Sequence, residues 1–137
     1  MNIKRLVIGS VVGTVALYFL GMLIWVYLFA DFFDANSGSA MGVDREAMIL
    51  WSVVLGTLCY GALLTLGLEL SGKKGIGGGL LVGAVVGALI WGTADFIFYG
   101  ITNLNTLTGA VADVVLEGVR GAIAGAVVAV VLGFVGD

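Results

Sequence analysis

Several residue types that soluble enzymes depend on are scarce or absent in this chain of 137 residues. Histidine is missing altogether, which removes the commonest general base and the commonest transition-metal ligand. The single cysteine, Cys59, can form neither an intrachain disulfide nor a thiolate metal cage. "GIGGG" at 75–79 is glycine-rich, but no predicted strand precedes it as a phosphate-binding loop requires. We therefore expect no enzyme activity, no metal and no cofactor.

Charge is also scarce, and its balance excludes one class of partner. Charged residues make up 11% of the chain, the net charge is −3, and Lys and Arg together number 6. Without a basic patch, nucleic acid is excluded as a partner. Hydrophobic residues make up 61% and the mean hydropathy is +1.17, above the range of soluble domains. The expected solvent is the lipid bilayer.

Four long apolar stretches indicate membrane spans. They cover residues 6–30, 47–70, 76–101 and 108–135, and each is close to the ~20 residues that cross a hydrocarbon core. None alternates apolar and polar residues as the strands of a transmembrane barrel do. A signal peptide ending near "SGSA" is an alternative for the first stretch, although that stretch is longer than the apolar region of such peptides. The sequence predicts a single all-α domain, residues 1–137, forming an integral membrane four-helix bundle.

Proline is absent while glycine accounts for 23 residues, a composition that favours helices packed closely through small side chains. The third span carries glycine at every fourth position, which forms one ridge, and the fourth span carries a second row of small residues. The glycines concerned are Gly75, Gly79, Gly83, Gly87, Gly121 and Gly125. We expect packing faces here, against another span or a second copy, and therefore predict a homo-oligomer or a larger membrane complex.

Basic residues are distributed unevenly between the two sides of the predicted bundle. Lys4, Arg5, Lys73 and Lys74 lie on the side that carries both termini, whereas the loop at 31–47 on the opposite side has one basic residue beside four acids. By the positive-inside rule, both termini are predicted to be cytoplasmic.

Charges interrupt the last two spans. Asp113, Glu117 and Arg120 share one stripe of the fourth span, turned away from its glycine row. An unpaired charge near mid-membrane costs at least ~2.5–3.5 kcal/mol. Arg120 is therefore predicted to pair with Glu117 or, as the best partner on another helix, with Asp95.

The glycine ridge of the third span continues into bulky and polar residues: Trp91, Asp95, Tyr99 and Asn103. Glycine at one end and large side chains at the other predict a wedge-shaped space between the third and fourth spans that opens outward. These residues and the charged stripe would line it. Three interpretations stay open: a polar cavity, an interhelical clasp that fixes the register, and a fourth span that starts late and leaves its acids at the interface.

A short internal similarity suggests a two-plus-two repeat. "GMLIW" at 21–25 resembles "GALIW" at 87–91, and each is followed by an aspartate, Asp31 or Asp95. Parallel repeats of this kind occur in transporters.

The strings "WGTAD" at 91–95 and "TNLNTLTG" at 102–109 resemble a family of small, uncharacterised four-helix bacterial membrane proteins. In that family an aromatic-Gly-Thr-x-Asp string runs into a Thr-Asn-Leu-x-Thr-Leu turn before the last helix, whereas here "FIFYGI" separates the two. The resemblance implies a four-helix architecture in the bacterial inner membrane and no particular activity.

Two functions fit these features. A structural or accessory subunit of a membrane complex fits the glycine faces and is slightly favoured. The alternative is a small transporter or channel in which Asp95 and Glu117 bind a cation or proton and Arg120 tunes their charge, because ionisable residues inside a membrane commonly mark ion or proton paths.

Overall fold

The computed structural model describes residues 2–135, which fold into helices. The first helix, α1 (Ile3–Gly21), continues directly into a π-helix, Met22–Leu28, here called the π segment. A short helix, α2 (Ala30–Ala35), and three long ones follow. The long helices are α3 (Leu50–Ser71), α4 (Gly75–Ile101) and α5 (Leu107–Phe134).

Four of these helices are long and apolar enough to cross a membrane. They are α1 with the π segment (26 residues), α3 (22), α4 (27) and α5 (28), with mean hydropathies between 1.8 and 2.2. The predicted all-α architecture with four membrane helices is thereby confirmed. The first span begins at Ile3 rather than residue 6, because the side chain of Asn2 caps it by accepting from the Lys4 N–H at 3.0 Å. The second begins at Leu50 rather than residue 47.

The start of α1, the end of α5 and the turn between α3 and α4 lie at the same end of the bundle. Arg5 on α1 donates to Glu69, near the end of α3, at 2.9 Å. It also donates to the main-chain oxygens of Leu132 and Val135, at the end of α5, at 2.9 and 2.6 Å. We call this end the terminal side, and the opposite end, which carries residues 36–49, the loop side.

The glycine rows of α4 and α5 face each other. A Cβ atom added to Gly79 would overlap the main chain at Gly125, and one added to Gly83 would overlap that at Gly121. A Cβ on Gly87 would likewise overlap the carbonyl oxygen of Glu117. The two backbones therefore approach as closely as hydrogen side chains permit, and in lipid such contact is a main source of helix association.

Gly75 is an exception, and its assignment to this packing ridge is wrong. A Cβ there would meet nothing within 4 Å, and the residue has φ +70°. It follows the turn at Lys73 and Lys74 and opens α4. Glycine is favoured at this position because its backbone conformation is left-handed, not because a neighbour is close.

Candidate functional site

A cavity of about 370 Å³ separates α1 from α3 in the loop-side half of the bundle. In the terminal-side half the two helices touch, since a Cβ on Gly13 would lie 3.1 Å from the Cα of Gly61. Further along, Tyr18 on α1 and Val53 and Thr57 on α3 line the cavity instead. Small residues at one end and larger ones at the other thus give a wedge whose wider part lies in the loop-side half.

The wedge predicted between the third and fourth spans is wrong in its location. Those spans, α4 and α5, stay together in their loop-side halves: a Cβ on Gly92 would lie 3.7 Å from the Val114 side chain. The large residues near the end of α4 do not hold the two helices apart, because Tyr99 is 42% exposed and Asn103 lies exposed in the following turn. Neither they nor Asp95 line the cavity.

Arg120 is buried and bound to two helices. Its Nε and Nη2 donate to the main-chain oxygen of Leu17 on α1 at 2.9 and 2.8 Å, and its Nη1 donates to Glu117 Oε1 at 2.7 Å. The guanidinium carbon lies 5.3 Å from the ring centroid of Trp25 and 5.8 Å from that of Tyr60. A planar guanidinium combines such hydrogen bonds with stacking on aromatic rings, which an ammonium group does less well.

The predicted pairing of Arg120 with Asp95 is wrong, whereas Glu117 is its partner. The reason is the orientation of α5. Its glycine row faces α4, so the side chain of Arg120, which lies on another face, reaches α1. Asp113, one turn before Glu117, is the residue that meets Asp95.

Gly21 and the π segment shape α1 around these charges. A Cβ on Gly21 would lie 2.9 Å from Arg120 Nη2, so the missing side chain leaves room for the guanidinium. Beyond Gly21 the helix widens, and Trp25 in the π segment donates from Nε1 to Asp113 Oδ1 at 2.7 Å. Insertions of π-helix are rare and occur frequently at functional sites.

The side chains of Asp95 and Asp113 lie close to each other. Together with Glu117 they place three carboxyl groups near one guanidinium, that of Arg120.

Polar atoms beside the cavity remain without hydrogen-bond partners among the described residues. They are Trp91 Nε1, Asp95 Oδ2 and Glu117 Oε2. Glu117 is only 2% exposed. The Tyr60 hydroxyl lies near the Glu117 carboxylate but donates to the main-chain oxygen of Glu117, at 3.5 Å. Buried polar groups of native proteins are normally satisfied by protein, water or a ligand, so these three atoms are where the cluster can engage a further partner.

Of the predicted site residues, the cavity brings together Trp91, Asp113, Glu117 and Arg120. The site residues predicted from the sequence did not include Trp25, Tyr18 or Tyr60. One signal could have found Trp25: it ends the string "GMLIW" that resembles "GALIW", and both tryptophans line the cavity.

Residues 2–135 contain no group of three or more cysteines, aspartates or glutamates placed to hold a metal ion. Comparisons with protein-family models, curated proteins and solved structures find no match to this chain.

Proposed function

We propose that this small multi-pass membrane protein is a transporter or channel that binds a cation or proton in the cavity between α1 and α3. The observation that carries the proposal is an excess of acid over base. Asp113 and Glu117 line the cavity with Arg120, and Asp95 lies behind Asp113. The lining thus carries two carboxyl groups against one guanidinium.

Burial makes this excess significant. An uncompensated charge inside a membrane is costly, and carboxylates retained there generally serve an ion or proton path. Glu117 and Asp95 are buried, and each has a carboxylate oxygen without a hydrogen-bond partner among residues 2–135. A bound cation would offset the charge and occupy the space beside it.

The competing proposal is a structural or accessory subunit. Its support is the contact of Arg120 with Leu17, which ties α5 to α1. The argument from glycine faces no longer favours it, because the rows at Gly83 and Gly121 contact each other within one chain and are not free to bind a second copy. Assembly into a homo-oligomer or larger complex stays a prediction that needs a different surface.

The proposed setting is the bacterial inner membrane with both termini cytoplasmic. It rests on the positive-inside rule, with Lys73, Lys74 and Arg5 on the terminal side. In this orientation the cavity faces the outer side and would load its cation from there.

The proposal is tested by uptake of Na⁺, K⁺, protons and organic cations into proteoliposomes. Asp113→Asn and Glu117→Gln should each reduce uptake of the transported cation by about tenfold or more, since each removes a carboxylate from the cavity. Asp34→Asn is the matched control, because Asp34 is an exposed acid outside the cavity.

A structural subunit would give a different result. The same two substitutions would then weaken assembly or folding, and no cation would enter proteoliposomes above the rate of empty vesicles. That outcome would contradict the proposed transport function.

A further inference from the structure

The size of the cavity bears on which cation it binds. Its volume is about 370 Å³, whereas a water molecule occupies ~30 Å³ in the liquid. A proton or a bare alkali ion at Asp113 would leave most of this space to water. Small-molecule sites have volumes of ~300–1,000 Å³, so the cavity has the size of a site for an organic ligand.

The lining is mostly apolar and aromatic. Tyr18 and Met22 come from the first span, Met48 from the loop before α3, Val53 from α3 and Trp91 from α4. Such a surface suits a hydrocarbon body, with a few polar groups fixing its orientation. Methionine side chains add adaptable apolar contact.

The two tryptophans that line the cavity differ in the contacts that their rings already make within the protein. The ring of Trp25 lies against the guanidinium of Arg120 and its Nε1 donates to Asp113. Among residues 2–135, the Trp91 ring has no cation against it and its Nε1 has no hydrogen-bond partner. Trp91 is half-buried at the cavity wall and also packs against the apolar cluster that contains Leu17 and Leu64. Tryptophan is the best aromatic partner for a cation, so Trp91 is the ring that remains for a bound ligand.

The charge of the site sets the charge of the ligand. Glu117 is paired with Arg120, which leaves Asp113 as the acid of the cavity lining without a basic partner among residues 2–135. Glu117 lines the cavity and only 2% of its surface is exposed. Its Oε2 has no hydrogen-bond partner among residues 2–135. A single positive charge would balance the site.

We propose that the cavity binds a monovalent organic cation with an apolar or aromatic body, its charge held by Asp113 and its body against Trp91. This inference rests on the proposed function and names the class of its substrate. A quaternary ammonium carrying a benzyl group has the required charge, size and surface.

The test is equilibrium binding of benzyltrimethylammonium to the purified full chain in detergent, measured by titration calorimetry. Neopentylbenzene, in which carbon replaces the charged nitrogen, is the matched neutral ligand, and NaCl and KCl are titrated separately. Asp113→Asn should weaken binding of benzyltrimethylammonium by at least about tenfold. Trp91→Leu should weaken it by about threefold or more.

Two control variants accompany these. Trp51→Leu should leave binding unchanged, since Trp51 is 71% exposed and outside the cavity, and Asp34→Asn should do the same. Each variant is checked for monodispersity and helix content, and Trp91→Leu keeps the test valid if Asp113→Asn does not fold.

The expected result is binding of the organic cation, no binding of its neutral analogue, and no competition from Na⁺ or K⁺ at equal concentration. Binding of Na⁺ or K⁺ that depends on Asp113, without binding of benzyltrimethylammonium, would overturn this inference and leave the proposed function standing. If no cation binds and proteoliposomes of the wild-type protein take up none, both fall.

Discussion

Arg120 illustrates how a single residue can place a full charge deep inside a membrane helix. Three of its N–H groups are bonded, to Leu17 and Glu117, and two aromatic rings flank it. The side chain is 11% exposed and that of Glu117 2%. At such burial, removing one partner of an ion pair leaves the other charge without compensation, which is far costlier than removing both.

We therefore expect Arg120→Met to lower the free energy of unfolding by about 3–5 kcal/mol, because Glu117 is left buried and unpaired. The double variant Arg120→Met with Glu117→Leu should recover most of that loss, since apolar residues of similar volume replace the pair. Unfolding in mixed micelles measures both. Arg45→Gln, in the exposed loop, is the control and should change the free energy by less than about 0.5 kcal/mol. An Arg120→Met protein as stable as wild type would contradict the buried pair.

The cavity residues were predictable to different degrees for physical reasons. A charge in an apolar run is costly wherever the helix faces, so Asp113, Glu117 and Arg120 stand out in the sequence alone. Which carboxylate meets the arginine depends on the rotation of α5 about its axis. The sequence indicates two faces on that helix but not which neighbour each one meets, and for this reason the pairing with Asp95 was wrong.

At the scale of the helices, close packing of α4 on α5 depends on glycine at the points of contact. A Cβ at Gly83 would overlap the Gly121 carbonyl oxygen, and one at Gly121 would overlap that of Gly83. Neither helix can relax by moving a side chain, because the obstructing atoms belong to the backbone. The two helices must move apart if either glycine is replaced.

Gly83→Ala and Gly121→Ala are each expected to reduce the free energy of unfolding by about 1–3 kcal/mol, the usual cost of overpacking. Gly77→Ala is the matched control on α4, where a Cβ would meet nothing within 4 Å. It should be neutral or stabilise the protein by up to about 1 kcal/mol, because alanine is the better helix former. Equal effects of Gly77→Ala and Gly83→Ala would contradict the contact.

The four spans follow from their apolar length, and the glycine ridge follows from its four-residue spacing. The π segment, Met22–Leu28, was not predicted, because its apolar sequence is equally compatible with an α-helix. Its extra width accompanies two tertiary contacts, the guanidinium of Arg120 beside Gly21 and the bond from Trp25 to Asp113. Neither contact is visible from local sequence.

At the scale of the whole molecule, the cavity lies in the loop-side half, and close contact between α1 and α3 separates it from the terminal side. Gly13 and Gly61 bring α1 and α3 together in the terminal-side half, and Gly9 meets Thr65 in the same region. For a bound cation to leave on the terminal side, this contact has to separate. Rocking of one pair of helices against another around a fixed site is a common way in which transporters achieve this.

A disulfide across this contact should stop transport without abolishing binding. A Cβ on Gly9 would lie 3.2 Å from that of Thr65, close to the ~3.5–4.5 Å of disulfide-linked residues. In a Cys59→Ala background, the oxidised Gly9→Cys, Thr65→Cys protein should bind cation as before but show no uptake into proteoliposomes. Reduction should restore uptake. Full uptake by the oxidised protein would show that α1 and α3 need not separate there.

The central claim is that the charged cavity is open to water and to a ligand, and thiol accessibility tests it most directly. In a Cys59→Ala background, cysteine is introduced at Thr57, which lines the cavity, or at Leu55, which is 52% exposed on the same helix and outside the cavity. We predict that a membrane-impermeant thiol reagent applied from the loop side modifies Thr57→Cys, that saturating organic cation slows this reaction, and that Leu55→Cys in the bilayer stays unmodified. If Thr57→Cys is as inert as Leu55→Cys in a folded protein, the cavity is dry and the account is contradicted.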